Sequence, residues 1–173
     1  MTLRVRATTM RDVHALFSDL SEISAAEVAK ECGSWWAALP KVQKLLELRD
    51  AHTEVMLDEA GTPMCIFGHY PSGELGIRTT WFVFSKTFIE RGVAGVVHAR
   101  RYLKALRHRY PDTYFHSFTV SDHPERDRWF RLLGYHYTGL TADGAHHYVL
   151  LVPENADDKA PVGRYNPTNP QAL

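Results

Sequence analysis

VSDHPERDRWFRLLGY, residues 120–135, is the stretch that decides the fold. An apolar strand ends at Val120 and hands over to a short polar loop. Pro124 suits the opening of a helix whose apolar side carries Trp129, Phe130, Leu132 and Leu133. Gly134 stops that helix and permits a sharp turn into a strand starting at Tyr135. Upstream, YFHSFTV (114–120) reads as a buried strand, and IRTTWFVF (77–84) is the most apolar strand and so the central one. Between them the spacing predicts one long helix over about 86–108, with Gly92 and Gly95 lowering helix propensity near its start and Pro111 in the loop after it. Downstream, strands over 135–140 and 146–152 are joined by Ala142-Asp143-Gly144, a hairpin turn with glycine where a positive φ is needed.

The amino-terminal half supplies the remaining layers. Residues 3–6 alternate apolar and charged, as a half-buried strand does. Thr9 followed by Asp12 is a capping-box signal for a helix through Val13, Leu16 and Phe17. Ser24 with Glu27 repeats that signal for a second helix, which Gly33 ends. Residues 34–39 read as an aromatic linker, and Pro40 as the first turn of a third helix through Val42, Leu45, Leu46 and Leu48. Strands over 53–57 and 63–69 form a hairpin across the turn at 59–62. The order β, α, α, α, β, β, β, α, β, α, β, β predicts an α/β domain: a mixed, mostly antiparallel central sheet with helices on both faces. The expected division is a single domain over 1–152 and an extended tail over 153–173, polar, with four prolines and no periodicity.

Composition bounds the function. The chain has 173 residues, 45% of them hydrophobic, which suits one packed core. Its 20 basic and 20 acidic residues cancel, so net charge favours neither nucleic acid nor an acidic membrane as partner. No run has the roughly 20 apolar residues of a membrane helix, and the start has no apolar stretch of signal-peptide length. Cys32 and Cys65 are far apart and are expected to be buried reduced thiols rather than a disulfide.

The element order, the amino-terminal RATTMRDV and the Phe130-Arg131-Leu132-Leu133-Gly134-Tyr135 ending resemble the GNAT acetyltransferase superfamily. Within it, the R-A-T-x-x-D-V start, a Glu near position 27, T-x-W-F-V on the central strand and R-W-F-x-x-L-G-Y resemble the small acetyltransferase-like internal virion proteins of short-tailed phages of the T-seven type. The shared pattern covers most of residues 3–152. The resemblance implies the GNAT fold, and with it a place in the virion and, during assembly, in the host cytoplasm.

Acetyl transfer makes three demands of such a fold. The pyrophosphate of acetyl-CoA needs backbone N–H groups at a helix start. The family pattern is Arg/Gln-x-x-Gly-x-Gly/Ala, and the nearest segment here is Arg91-Gly92-Val93-Ala94-Gly95-Val96. Ala94 and Val96 stand where Gly and a small residue belong, and the segment lies several residues past Phe84. Arg91, Gly92 and Gly95 are the candidate cofactor contacts; the preferred reading is a glycine pair that lets the helix pack closely. Second, the family Tyr that protonates the leaving thiolate corresponds to Phe130, which has no proton to give, and the family Asn seven residues before it to His123. Third, a general base is needed. The strands over 79–84 and 114–120 carry no carboxylate, which leaves Glu27, whose simpler reading is a solvated or capping residue. Together the departures predict a retained fold with lost chemistry, no catalytic residue and no cofactor, acetyl-CoA being the alternative.

Other constellations are weaker. His146 and His147 are adjacent on a strand and point to opposite faces, and His136 with His147 lacks a third ligand, so no metal site is expected. Neither cysteine has a local His partner for nucleophilic chemistry. Arg100, Lys104, Arg107 and His108 share one face of the long helix, a candidate surface for a partner protein or DNA, or simply a solvated face. The tail, with Tyr165, could dock on a neighbouring subunit as an extended arm. The sequence therefore predicts a phage virion-associated protein that binds other virion proteins through its tail and exposed apolar patches. The rivals are an active N-acetyltransferase modifying a host protein and an inhibitor of a host protein.

Overall fold

The computed structural model describes residues 4–90, 93–142 and 144–150. The elements run β1 (Arg4–Ala7), α1 (Met10–Phe17), α2 (Glu22–Cys32), α3 (Trp35–Glu47), β2 (His52–Leu57), β3 (Pro63–Pro71), β4 (Ile77–Phe84), α4 (Lys86–Glu90), α5 (Val93–Arg109), β5 (Tyr114–Thr119), α6 (Arg126–Leu133), β6 (Tyr135–Ala142) and β7 (Ala145–Leu150). They build a seven-stranded sheet in the order β1-β2-β3-β4-β5-β7-β6. Every neighbouring pair is antiparallel except β4 with β5. This is the mixed, mostly antiparallel sheet the sequence predicted, with helices on both faces. The tail over 153–173, Tyr165 included, lies outside the described residues, as do Arg91 and Gly92.

Strand alternation sorts the core into two layers. Val55, Leu57, Ile66, Trp81 and Val83 face α1, α2 and α3. Phe67, Phe82, Phe84 and Phe115 face α5 and α6 and join Leu103, Leu106, Phe130, Leu133, Tyr135 and Tyr148. Gly134 ends α6 at φ 94° and donates its N–H to the Arg131 and Phe130 carbonyls. That left-handed cap turns the chain into β6.

Several local expectations need correction. All four residues of β1 are exposed; the alternation is that of an edge strand, not a half-buried one. The capping box at Thr9 and Asp12 is present, but α2 is capped by Ser21, whose hydroxyl accepts the Ser24 N–H at 3.2 Å. Ser24 and Glu27 are inside the helix. Residues 35–39 are helical rather than a linker: Ser34 caps α3, and Pro40 lies in its interior, where it removes one i→i−4 hydrogen bond. Of the helix expected over about 86–108, Lys86–Glu90 and Val93–Arg109 are helical; the residues between them lie outside the described residues. Of the two free cysteines Cys65 is buried, whereas Cys32 is partly accessible.

Candidate functional site

The site arises where the sheet comes apart. Parallel strands β4 and β5 pair over only three positions, Ile77↔Tyr114, Arg78↔Phe115 and Thr79↔His116. At the next residue, side chains replace the ladder. The Thr80 hydroxyl donates to the His116 carbonyl at 3.0 Å, and the Ser117 hydroxyl donates to the Thr80 carbonyl at 3.1 Å. A hydroxyl between two backbones holds them farther apart than a direct N–H···O bond, so the strands diverge. Thr80 Oγ1 also lies 2.6 Å from the buried Tyr135 hydroxyl, which fixes the start of the wedge from below.

Beyond that point a cavity of about 660 Å³ opens between the strands. Trp81, Phe82 and Phe84 of β4, Phe118 and Thr119 of β5, and Trp129 and Phe130 of α6 contribute to its walls, with α2 and α3 on the other side. Its size is in the range of small-molecule clefts. No described residue of α4 or α5 lines it.

Helix α2 crosses the wedge and bonds to both strands. The Phe84 N–H, left without a β5 partner, donates to Ser24 Oγ at 3.0 Å. The Val120 N–H donates to Glu27 Oε1 at 2.8 Å, and the Thr119 hydroxyl donates to Glu27 Oε2. One turn later, Lys30 Nζ lies 2.6 Å from Asp122 Oδ2. Burial pushes the Glu27 carboxyl above its ordinary value, with help from Glu31; the bonds from Thr119, Val120 and Ser121 pull the other way and do not prevail. Glu27 is thus neither solvated nor an N-terminal cap. It is a half-buried carboxylate in the cavity wall that closes the end of β5.

The α5–α6 side is filled with rings. Phe84 stacks on Phe88 at 4.6 Å and on Trp129 at 5.8 Å, and Phe88 also meets Trp129 at 6.4 Å. Phe88 is fully buried beneath Gly95: a Cβ on Gly95 would sit 2.5 Å from Phe88 Cε2. Phe130 stacks face to face on Tyr148 at 3.8 Å and meets Tyr135 edge-on at 5.6 Å. His123 accepts the Glu125 N–H on Nδ1 at 3.2 Å and so shapes the entry to α6.

The other candidates are scattered. Arg100 and Lys104 are exposed on α5, but Arg107 turns inward, its Nε buried without a hydrogen-bond partner; burial lowers its pKa. The three therefore do not form one solvent-facing row. His136 pairs with Val149 rather than meeting His147. The His147 ring instead stacks on His116, with His116 Nε2 2.8 Å from His147 Nδ1. Among the described residues no group of three or more His, Cys, Asp or Glu is placed to hold a metal ion. No helix among them is long and apolar enough to cross a membrane.

Solved structures share this architecture. The GNAT domain of S. lividans PAT is 14% identical with a TM-score of 0.65, over 86% of this chain and 90% of that one. A spermidine N-acetyltransferase SpeG chimera from Vibrio cholerae and hSSAT is 12% identical with a TM-score of 0.63, over 87% of this chain and 96% of that one. An aminoglycoside acetyltransferase in complex with coenzyme A is 14% identical with a TM-score of 0.60, over 86% and 93%. At this identity the likeness is one of fold: the chain has the GNAT acetyltransferase fold. No protein-family model matches the sequence, and no curated protein matches it.

Proposed function

We propose that this chain is a phage virion-associated protein in which the GNAT frame serves to bind other virion proteins rather than to transfer acetyl groups. The observation that carries the non-catalytic half is the ring stack of Phe84, Phe88 and Trp129. A cofactor with its pyrophosphate at the start of α5 and its thiol at α6 has to pass between those helices. Phe88, beneath Gly95, and Trp129, on α6, meet across that route. The position that would protonate the thiolate is Phe130, held between other rings. Fold survives such changes more readily than chemistry does, because the rings that fill the route add to the core.

The virion half rests on the sequence resemblance over residues 3–152. Binding there would use the tail over 153–173, with exposed apolar side chains such as Trp36, Leu75 and Tyr114 as further contacts. Arg100 and Lys104 offer a basic patch to an acidic partner surface or to DNA. Calorimetric titration with acetyl-CoA tests the first half; no heat of binding is expected, and a micromolar dissociation constant overturns it. Mass spectrometry of purified particles tests the second; the chain is expected in them, and its absence overturns the assignment.

One observation favours a second reading, an active N-acetyltransferase acting on a host protein. The strands do part, and the cavity between them carries Glu27 on its wall with its pKa raised, the direction that favours a general base. Acetyl-CoA binding together with an acetylated protein product would establish it.

A further inference from the structure

The contacts of α2 go beyond capping. Ser24 and Glu27 are three residues apart on one helix face, and each takes the N–H that splaying removed from a different strand: Phe84 of β4 and Val120 just past β5. Backbone bonds add to the β4 side, with the Ser21 N–H donating to the Phe84 carbonyl at 2.9 Å. The distance between the two strand ends is therefore set by one rigid helix turn. We propose that α2 is a pH-responsive staple that fixes the width of the cleft, with Ser24 as its constant leg and the Glu27 carboxylate as its titrating leg. The proposal stands whether or not acetyl-CoA enters the cleft.

The surroundings of Glu27 assign the titration to it. On α2 its charged neighbours are Glu31, which raises its pKa, and Lys30, which is turned to Asp122. On β5 and just beyond, Thr119, Val120 and Ser121 are neutral donors. From α6, Arg126 is directed to the Ser121 carbonyl at 2.7 Å and to Asp127. From α3, Lys41 is 4.0 Å from Glu31 and Lys44 is at the exposed rim. From β3, Tyr70, and from β4, Thr79 and Trp81, bring no charge near neutrality. No cation forms an ion pair with Glu27 among the described residues.

The direction follows from linkage. In the closed staple the carboxylate is half-buried, and that burial makes it bind its proton more tightly than in water. Opened, it is wetted and returns to its ordinary value. The closed state therefore gains as pH falls through the raised pKa and loses as pH rises through it. Acid tightens the cleft, and neutral to alkaline pH loosens it at the β5 leg.

Amide hydrogen exchange on the full chain, corrected for intrinsic rates, reads both legs. As pH falls from about 8 to below the ordinary carboxylate range, protection of the Val120 amide should rise by about tenfold for each unit by which the closed-state pKa exceeds the open one, while the Phe84 amide stays level. In Glu27→Gln, which keeps the shape without the charge, Val120 should be as well protected at pH 8 as wild type is at the acid end of its profile, with no pH step. Ser24→Ala should weaken Phe84 protection and leave the Val120 step in place. A level wild-type Val120 profile, protection that falls with acid, or an unchanged step in Glu27→Gln overturns the proposal. The wild-type profile alone suffices should a variant not fold.

Discussion

Gly95→Ala separates two reasons for a glycine at the start of α5. In a helix this change ordinarily stabilises, by up to about 0.8 kcal/mol. Here the new Cβ would lie 2.5, 2.7 and 3.1 Å from Cε2, Cζ and Cδ2 of Phe88. Carbon atoms prefer about 3.5–4.0 Å, so ring and helix must separate by about 1 Å. The ring has nowhere to go: it is fully buried, stacked on Phe84 at 4.6 Å and meets Trp129 at 6.4 Å. Overpacking of this kind costs about 1–3 kcal/mol. The net expectation is a loss of about 0.5–2 kcal/mol, or a fall of roughly 2–6 °C in Tm. Urea denaturation of wild type, Gly95→Ala, Phe88→Leu and the double variant completes a cycle. Leucine lacks Cε2 and Cζ, so in that background the alanine should cost little or stabilise, with a coupling of about 1–3 kcal/mol. The cycle is run without any cofactor. A neutral or stabilising Gly95→Ala in the wild-type background, or an equal penalty in both backgrounds, refutes the packing argument and returns Gly95 to a role in binding.

Two further outcomes follow from the buried polar groups. Asp12 accepts Arg6 through both oxygens at 2.7 Å and the Thr9 N–H at 2.8 Å; burial pushes its carboxyl up, but these bonds outweigh it and hold it below its ordinary value. Its contribution is present above the ordinary Asp range and lost as pH falls through the lower folded value. Asp12→Ala should therefore lower stability at pH 7 by at least about 1 kcal/mol from the lost cap and flatten the acid limb of the urea midpoint; an unchanged limb would count against the assignment. His69, buried on β3, accepts Arg78 Nε on Nδ1 at 2.7 Å; burial first, and then Arg78, holds its pKa down to about 3. Its ring protons should not shift in NMR spectra between about pH 8 and pH 5, while an unfolded histidine takes up its proton near 6.5, so this residue makes stability fall as pH drops below that value. A His69 midpoint near 6.5 would contradict the burial.

Local signals were legible wherever one residue acts on its own neighbours. Thr9 with Asp12, Gly33, Gly134 and the apolar run over 77–84 each specify backbone within a few positions, and each is found in its expected role. Pro40 misled because a proline reads as a helix start, whereas the Ser34 cap and the apolar side at Ala38 and Val42 hold α3 together through it.

The site shows the same division. The sequence by itself determined the layers and the crossover from β4 to β5, because periodicity and turn chemistry are properties of the chain. Only the tertiary structure decided what Ser24 and Glu27 do. Their spacing is that of a capping box, and as a capping signal it pointed to the wrong helix start. The N–H groups they accept belong to Phe84 and Val120, some 60 and 93 positions away, and become available only once Thr80 and Ser117 have spread β4 from β5. A hydrogen-bond partner created by strands coming apart leaves no periodic trace in the sequence.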